Sequence, residues 1–335
     1  MKNIFKGKVI LISGGTGFLG RNLVKYFLKQ GVHSVRAFSR DEVKHHKLQE
    51  MFNYDERIRC LVGDVRDYKR VKRAVKGADI VIHAAALKRL DMLEYNPLEG
   101  IKTNILGSAN VIRACLEENV EKAVMVSTDK AVNSITAYGA TKFLAERLFT
   151  ESNYSKGNAK TVFTTVRYGN VLNSTGSVIP LFKEKIAKGE QIPLTNPNMT
   201  RFIISDEEAG ELIVKAVKYG VGGEVFVPQL PAFNILDLIS LLKDGKKVRV
   251  KTIGIRVNEK LHELMINEDE MRNVYKYKDL FVLTSPLMQK YQPKVKQPIY
   301  IKDGMKVNPS LFRQYCSKDV VLKKDKLKEV LKKWL

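Results

Sequence analysis

A tyrosine and a lysine four residues apart, Tyr138 and Lys142, have the types and spacing for proton and hydride chemistry. On a helix, positions i and i+4 lie on one face, so the two side chains are predicted to be neighbours. An ammonium group beside a phenol favours the phenolate and lowers the pKa of the tyrosine. Such a tyrosine can take the proton of a sugar or alcohol hydroxyl while a nicotinamide takes the hydride. The alternative is a packed phenol beside a solvated amine, because short motifs specify function loosely.

A second acid and a second base precede this pair. Asp129 and Lys130 lie in the segment Ser127-Thr128-Asp129-Lys130, shortly before Tyr138. Oxidation of an alcohol by itself requires neither of them, so the two residues indicate chemistry beyond oxidation. The alternative is a solvated ion pair on a loop, which is the usual state of neighbouring opposite charges.

A glycine-rich turn near the start of the chain predicts a dinucleotide site. Residues 8–12 form a short apolar run that is typical of a buried parallel strand. Glycines follow at the spacing G-x-x-G-x-x-G, close to the dinucleotide fingerprint G-x-G-x-x-G. A helix predicted over residues 21–29 would hold a pyrophosphate through free amides and the helix dipole. The cofactor-binding residues predicted in this turn are Gly14, Thr16, Gly17, Phe18, Leu19 and Gly20.

The end of the second predicted strand, residues 34–38, indicates which dinucleotide binds. NAD enzymes usually carry an acidic residue about 20 residues beyond the glycines for the ribose 2′-hydroxyl. Here that place holds Ser39 and Arg40. A hydroxyl and a guanidinium suit a 2′-phosphate, with Lys44 in support, so we predict NADP. Asp41 leaves NAD as the alternative.

Two later strand ends complete the predicted cofactor site. Asp64 follows the strand at residues 58–62 and is placed to accept a hydrogen bond from the adenine amine, with Val65 against the ring. Residues 80–86 are predicted to form a fourth strand and its exit, where small alanines let the chain pass close to the cofactor. His83 is predicted to be an orienting or structural group. The remaining predicted cofactor contacts are Ala84, Ala85, Ala86 and Lys142.

These residues lie in segments that resemble the extended short-chain dehydrogenase/reductase family. The matching segments run from the first strand to about residue 263 and include "GGTGFLG", "GDVRD", "HAAALK", "STDKAVNSITAYGATK", "RYGNVLNSTGSVIPLF" and "GIRVNEKLHE". Within the family, the chain looks most like the soluble UDP-N-acetylglucosamine 4,6-dehydratases that invert C5, the type that begins pseudaminic acid synthesis. Tyr138 favours this group, because relatives that retain the C5 configuration often carry methionine there.

The resemblance implies a catalytic role for each polar residue of the motif. Tyr138, with Lys142 and a hydrogen bond from Thr128, would deprotonate the sugar 4-hydroxyl while hydride leaves C4 for NADP⁺. Lys130 would take the C5 proton as general base, which requires a lowered pKa. Asp129 would protonate the departing 6-hydroxyl. Hydride then returns to C6, and a proton returns to the opposite face of C5.

The resemblance also implies the fold and the substrate site. We expect an α/β chain with a Rossmann-type doubly wound parallel sheet and a smaller C-terminal substrate-binding domain. Residues 1–170 and about 200–228 would form the NADP-binding domain, and about 171–199 and 229–335 the substrate-binding domain with a basic C-terminal helix. The expected substrate contacts are Lys88 and Asn104 at the sugar, Asn170 at the diphosphate, Ser177, Val178, Ile179, Met199, Thr200, Arg201 and Arg256 at the nucleotide, and Glu259 at a ribose hydroxyl or beside Arg256.

Composition sets outer bounds on function. The chain has 335 residues, enough for a sizeable core, and no apolar run near the ~20 residues that span a bilayer. Three cysteines without metal-like spacing predict no metal and a reducing, cytoplasmic location. The net charge of +22 comes from scattered lysines without an RNA-binding motif. An anionic nucleotide sugar explains that charge better than nucleic acid does.

Helical patterns predict how the ends of the chain pack. Leu327, Val330, Leu331 and Trp334 form an apolar stripe that would dock on the body, although a second subunit or a membrane surface are alternatives. By resemblance, helices over residues 98–117 and 137–150 would pair subunits into a dimer or hexamer.

Three alternatives to the inverting dehydratase stay open: a retaining 4,6-dehydratase, a nucleotide-sugar 4-epimerase or reductase, and a non-catalytic NADP-binding protein.

Overall fold

The computed structural model describes residues 3–172, 174, 177–255, 258–291 and 297–332. Its strands are β1 (Val9–Ser13), β2 (Ser34–Ser39), β3 (Ile58–Val62), β4 (Ile80–His83), β5 (Lys122–Val126), β6 (Val162–Val166), β7 (Asn170–Val171), β8 (Ile192–Leu194), β9 (Thr200–Ile204), β10 (Val225–Pro228), β11 (Ala232–Asn234), β12 (Val250–Thr252), β13 (Leu264–Ile266), β14 (Val274–Tyr277), β15 (Leu280–Leu283), β16 (Met305–Lys306) and β17 (Tyr315–Cys316). Its α-helices are α1 (Phe18–Lys29), α2 (Glu42–Met51), α3 (Tyr68–Val75), α4 (Leu90–Tyr95), α5 (Pro97–Gly100), α6 (Gly107–Glu117), α7 (Ala137–Ser155), α8 (Val178–Ala187), α9 (Asp206–Tyr219), α10 (Ile235–Lys243), α11 (Glu268–Met271), α12 (Pro286–Tyr291), α13 (Ile299–Lys302) and α14 (Lys324–Leu331).

A large twisted sheet organises the first lobe. Its parallel part has the order β3-β2-β1-β4-β5-β6-β10, which extends the doubly wound order 3-2-1-4-5-6 by one strand. Ile10, Ile12, Val81 and Ile82 are buried because helices cover both faces of the parallel strands. The predicted fold class is confirmed.

Helices on the two faces of the sheet enclose separate apolar cores. Leu23 and Phe27 of α1 pack with α9 on one face, whereas Phe149 of α7 packs with α3 and α6 on the other. Because the strands are parallel, their carboxyl ends meet along one edge, and the loops that carry the predicted site residues start from that edge.

The division into two lobes differs from the predicted one. Strands β15, β14 and β16 continue the large sheet beyond β10 in antiparallel order, although residues 229–335 were assigned to the second domain. They cover an edge that would otherwise leave backbone groups of β10 unpaired. The smaller lobe contains the sheets β11-β9-β7 and β12-β8, whereas Met265 and Ile266 of β13 and Tyr315 of β17 are buried in the same core as Leu23 and Phe27.

The smaller lobe has its own core, and the C-terminal helix belongs to it. Phe182 of α8 and Leu238 of α10 are buried there together with Leu327 and Leu331 of α14. The tail helix therefore docks on the body, as its apolar stripe predicts. Trp334, the last residue of that stripe, lies outside the described residues.

A π-helical segment interrupts the helix predicted over residues 98–117. The chain runs from α5 through a π-helix at Ile101–Leu106 directly into α6. Such π-turns occur frequently at functional sites. This one carries Asn104, which was predicted to lie near the sugar.

Candidate active site

The predicted catalytic residues come together where β5 ends and α7 begins. After β5 the chain forms a 3₁₀ turn at Asp129–Ala131, capped by the Thr128 side chain. The first turn of α7 presses against this turn at Gly139, where a Cβ atom would lie 2.1 Å from the Lys130 carbonyl oxygen. Because glycine has no Cβ, the loop and the helix can approach closely enough to bring Tyr138 beside Thr128 and Lys130.

Loss of solvent is the main cause of the pKa shifts of Tyr138 and Lys142. Desolvation raises the pKa of Tyr138 to about 12, although the Lys130 charge and a hydrogen bond with Thr128 offset part of the rise. The predicted lowering of the tyrosine pKa is therefore wrong, because burial outweighs the nearby cations. Burial also lowers the pKa of Lys142 to about 8, against the opposing charge of Glu146.

Lys130 lies between two carboxylates, which the sequence pattern did not predict. Its Nζ atom is 3.0 Å from Asp129 Oδ1 and 3.3 Å from Glu263 Oε1. Burial acts to lower the pKa of Lys130, but the two carboxylates outweigh burial and raise it. The predicted lowering of this pKa is therefore wrong for the amine as the structure places it.

Asp129 has the environment of an acid that retains its proton. The residue is fully buried, and burial raises its pKa, with a further contribution from the Glu263 carboxylate. Its Oδ1 atom accepts hydrogen bonds from Thr128 Oγ1 and Lys130 Nζ. Its Oδ2 atom is buried and has no hydrogen-bond partner among the residues that the structure describes. A substrate hydroxyl placed there would complete its bonding.

Arg201, predicted to bind phosphate, is already engaged by the protein. Nη1 donates to the carbonyls of Thr200 and Leu261, and Nη2 donates to the Lys260 carbonyl and to Glu259. Its Nε atom lies 3.8 Å from Glu263 Oε1. In this arrangement Arg201 shapes segment 259–263, which places Glu263 at Lys130. A direct phosphate contact remains a prediction.

The glycine-rich turn forms a cradle at the ends of β1 and β4. Gly14 has φ +74°, and a Cβ atom there would lie 3.0 Å from the backbone nitrogen of Ala85. The helix α1 begins at Phe18, three residues earlier than predicted, and Gly17 gives it no side-chain cap. Its first backbone amides are thus available to a ligand. The turn packs closely against Ala84 and Ala85, so it brings the start of α1 near the end of β4, where the pyrophosphate is predicted to bind.

Polar side chains line the other end of this cradle. Thr16 Oγ1 lies 2.8 Å from Ser39 Oγ, so the turn is tied to the end of β2. Asp41 accepts from the Lys44 amide to cap α2 and also pairs with Lys44 Nζ at 2.7 Å. The carboxylate that left NAD as an alternative is therefore used by the helix. Arg40 is exposed.

The adenine end contains an exposed ionic cluster. Asp64 Oδ2 accepts from Arg66 at 2.7 Å and lies 3.7 Å from Arg40 Nη1. Val65 is buried, and its side chain covers Gly107 at the start of α6. His83 is enclosed: Nδ1 lies 2.7 Å from Ser13 Oγ, and burial lowers its pKa to about 3. This histidine supports the strand ends.

The predicted sugar contacts take two different positions. Asn104 is buried, and its amide bonds the Leu87 backbone at 2.8 and 2.9 Å and Thr141 Oγ1 at 3.0 Å. It thus fixes the loop that presents Lys88, whose side chain is exposed. The structure makes Lys88 the more accessible of the two.

The predicted nucleotide contacts divide between open and packed positions. Asn170 Oδ1 and Ser177 Oγ are buried without a hydrogen-bond partner in the described part of the chain, so both could receive a ligand. Ile179 and Met199 belong to the core of the smaller lobe, and Thr200 bonds His262 and Ser317. Val178 is half-buried at the start of α8. Arg256 lies outside the described residues.

A second buried ionic cluster lies beneath the site and was missed from the sequence. Arg167 bonds Glu146 of α7 at 2.6 Å and Glu270 of α11 at 2.9 Å, and it donates to the Met265 carbonyl. Ser127 donates to Glu146 as well. Glu146 lies four residues after Lys142 on α7, so the cluster joins the catalytic helix to β13 and α11.

Metal sites and membrane-spanning helices were two further possibilities for this fold. Among the described residues, no group of three or more histidine, cysteine or acidic side chains is arranged to hold a metal ion. Within the same ranges, no helix has the length and apolar character needed to cross a membrane.

The chain is similar to known proteins over most of its length. The family described as polysaccharide biosynthesis protein matches residues 10–285, and the chain belongs to this family of extended short-chain dehydrogenases/reductases. An uncharacterized membrane protein of Methanocaldococcus jannaschii is 44% identical and covers 99% of this chain and 97% of its own. A UDP-N-acetylglucosamine 4,6-dehydratase (inverting) of Campylobacter jejuni is 42% identical over 84% of each chain.

Structural similarity extends over nearly the whole chain. The crystal structure of Pen from Bacillus thuringiensis superposes with a TM-score of 0.91 at 36% identity, covering 98% of both chains. A Rickettsia massiliae protein named UDP-glucose 4-epimerase is 38% identical over 83% of each chain. Relatives at comparable identity thus carry both a dehydratase and an epimerase name.

Proposed function

We propose that this chain is an NADP-dependent UDP-N-acetylglucosamine 4,6-dehydratase that inverts C5, of the type that supplies pseudaminic acid synthesis. The observation that carries the proposal is the buried Asp129 carboxyl group with one unpaired oxygen, held beside Lys130 and Tyr138. A 4-epimerase needs a proton acceptor for the 4-hydroxyl but no acid for a 6-hydroxyl. The inverting relative at 42% identity supports the same substrate and outcome.

The cradle of the first lobe fits NADP. Gly14, Gly17 and the start of α1 would hold the pyrophosphate, with Asp64 and Val65 at the adenine. Ser39, Arg40 and Lys44 would take the 2′-phosphate, and engagement of Asp41 by α2 supports NADP over NAD. When bound, the cofactor supplies a hydride acceptor at C4 and returns the hydride to C6.

The protein supplies the proton transfers. Tyr138 would accept the proton of the 4-hydroxyl, with Thr128 as its hydrogen-bond partner and Lys142 on the same helix. A phenol with a pKa near 12 requires added positive charge to ionise at neutral pH, which a nicotinamide cation beside it would provide.

Asp129 and Lys130 would act as a pair. They lie 3.0 Å apart, so a proton can pass from Lys130 to Asp129. This transfer creates a neutral amine for the C5 proton and a carboxylic acid for the departing 6-hydroxyl. The raised pKa of Asp129 favours this transfer, and the raised pKa of Lys130 opposes it. The 6-hydroxyl leaves as water when it takes that proton.

An exposed apolar surface supports the proposed oligomer. Leu98, Ile101 and Leu106 along the helix of α5 and the π-segment are exposed, as are Phe143 and Leu144 of α7. Monomers rarely leave large apolar patches uncovered, so we propose pairing through this face into a dimer or a larger assembly. All three cysteines are unpaired thiols, in keeping with the cytoplasmic location that we also propose.

Proton NMR of the sugar tests the proposed reaction. The purified protein is incubated with NADP⁺ and UDP-N-acetylglucosamine in deuterated water, with UDP-glucose and UDP-N-acetylgalactosamine in parallel. We expect a new C6 methyl signal with deuterium at C5, and the C5 coupling separates inversion from retention. Interconversion at C4 with an intact C6 hydroxymethyl group would favour the epimerase. Unchanged sugars in all three samples would contradict the proposal.

A further inference from the structure

A carboxylate that the scheme above does not use lies against the Asp129–Lys130 pair. Glu263 immediately precedes β13, and its Oε1 atom lies 3.3 Å from Lys130 Nζ and 3.8 Å from Arg201 Nε. The residue is only 2% exposed. Its Oε2 atom has no hydrogen-bond partner among the residues described. Burying a charge with half of its bonding unmet is unfavourable for folding, so this position invites a functional explanation.

The backbone N–H and the backbone carbonyl of Glu263 are both hydrogen-bonded to Ser317. Its N–H donates to Ser317 Oγ at 2.9 Å, and its carbonyl accepts from the Ser317 N–H at 2.9 Å. Ser317 Oγ also lies 2.7 Å from Thr200 Oγ1. Lys260 of the same segment donates to the Val132 carbonyl on the catalytic loop at 2.6 Å. The carboxylate therefore has a defined position relative to Lys130.

Glu263 influences the protonation of both Asp129 and Lys130. Its carboxylate favours the protonated form of Lys130 and, by repulsion, also the protonated form of Asp129. Arg201 acts in the opposite direction on Lys130 from a greater distance. The charged and titratable groups that face Lys130 are Asp129, Tyr138, Arg201, Lys260 and Glu263.

We propose that Glu263 is a positioning residue of the dehydration step: it holds the Lys130 amine beside Asp129 and keeps their shared proton on this pair, ready for the departing 6-hydroxyl. The inference rests on the proposed dehydratase function. The protonation of the Lys130 amine can be measured without any turnover.

The reactivity of the Lys130 amine tests this claim directly. Wild type, Glu263→Gln and Glu263→Asp are acetylated with limiting acetic anhydride at several alkaline pH values, and the Lys130 peptide is quantified by mass spectrometry. Loss of the carboxylate should lower the lysine pKa by about one unit, so acetylation at a given pH rises roughly tenfold in Glu263→Gln. Glu263→Asp keeps the charge and should stay near wild type. Equal rates in a folded Glu263→Gln protein would overturn the proposal.

Two controls separate this effect from unfolding and from general changes in reactivity. Glu268→Gln removes an exposed carboxylate on nearby α11 and should leave Lys130 acetylation unchanged. Thermal unfolding of each variant shows whether it is folded, and exposed lysines serve as internal references. If Glu263→Gln does not fold, the comparison of Glu263→Asp with wild type decides, because a shorter carboxylate that still protects Lys130 supports the proposal and full loss of protection contradicts it.

The pH profile of turnover links the same residue to catalysis. In Glu263→Gln, the basic limb of kcat/KM should move to lower pH by about one unit, so activity above that limb falls about tenfold. The KM for the nucleotide sugar should change little. An inactive wild type would contradict the proposed function while acetylation still decides the role of Glu263. An active wild type with an unshifted Glu263→Gln profile would contradict the positioning role alone.

Discussion

Two buried ionic clusters join the catalytic loop and helix, residues 127–146, to residues 263–270, and they differ in how completely their atoms are bonded. In the Arg167 cluster, all four carboxylate oxygens of Glu146 and Glu270 accept bonds from the guanidinium. In the Lys130 cluster, Asp129 Oδ2 and Glu263 Oε2 have no partner within the described residues. A fully bonded cluster can only support the fold, whereas an incompletely bonded one leaves atoms for a substrate.

One carboxyl group of each cluster, Glu270 in the first and Asp129 in the second, has its pKa shifted in the opposite direction to the other. Burial would raise the pKa of Glu270, but the charge and hydrogen bonds of Arg167 outweigh it and lower that pKa. At Asp129 burial prevails, and the pKa is raised. The first carboxylate therefore stabilises the folded state at neutral pH, while the second is held in a state that favours giving a proton to a ligand.

The largest expected effect is the loss of catalysis in Asp129→Asn. An amide cannot protonate the departing 6-hydroxyl, so kcat for C6 methyl formation should fall about 10⁴-fold, the upper range for general acid catalysis. Because the pKa of Asp129 is raised, removing its charge should leave the melting temperature unchanged or higher. The measurements are NMR product formation and thermal unfolding.

A matched substitution shows whether this loss is specific. Asp303→Asn changes an exposed carboxylate after α13 and should preserve turnover. If Asp129→Asn forms the methyl product at a rate near wild type, the role of the unpaired oxygen is contradicted.

Arg167→Met is expected to lower the stability of the protein, whereas Asp129→Asn is expected to lower its catalytic rate. This change leaves Glu146 and Glu270 with uncompensated buried charge, and breaking such a pair lowers the free energy of unfolding by about 3–5 kcal/mol. Urea denaturation followed by circular dichroism measures the change. Arg272→Met removes an exposed arginine just after α11, two residues beyond Glu270. It should alter the free energy of unfolding by less than about 0.5 kcal/mol. A stable but inactive Arg167→Met protein would contradict the structural role of this cluster and indicate a catalytic one.

The sequence predicted the Lys130 cluster only in part, for reasons of chain distance. Thr128, Asp129, Lys130, Tyr138 and Lys142 lie in one short stretch whose spacing limits where the side chains can be. Glu263 reaches Lys130 only through the pairing of β13 with β17 and the clamp by Ser317. No local pattern encodes that contact, so the carboxylate and the sign of the Lys130 pKa shift were both missed.

The Arg167 cluster was missed for a different reason. Glu146 lies in a helix and Arg167 follows a strand, and charged residues at such positions usually face solvent. Their burial depends on α11 arriving from a distant part of the chain. The strands predicted at residues 8–12, 34–38 and 58–62, in contrast, lie within one residue of β1, β2 and β3 because each has its own apolar run. The position of β14–β16 in the large sheet has no such local signal.

The pH dependence of stability sharpens the comparison with a smaller effect. The lowered pKa of Glu270 gives stability that is present above its ordinary value of 4.5 and is lost as the pH falls through the folded-state pKa. At pH 7, Glu270→Gln should lower the unfolding free energy by about 1.5–3 kcal/mol, the value of charge-assisted hydrogen bonds. The wild-type and variant curves should converge only when the pH falls below the folded-state pKa of Glu270, which is lower than its ordinary value. Glu268→Gln should follow wild type, and a constant gap between wild type and Glu270→Gln at every pH would contradict this account.

The smallest expected effect tests an exposed third cluster, where charge is neither buried nor strongly paired. Arg40 is 3.7 Å from Asp64, which Arg66 also holds, so Arg40→Ala should change stability by less than about 0.5 kcal/mol. Its role would be toward the 2′-phosphate, so calorimetry should show a roughly tenfold higher Kd for NADP, about 1.4 kcal/mol, with NAD nearly unchanged. Lys69→Ala, an exposed change on α3, should leave both affinities as in wild type. Equal weakening of NADP and NAD would instead place Arg40 at the part common to both cofactors, because only the 2′-phosphate distinguishes them.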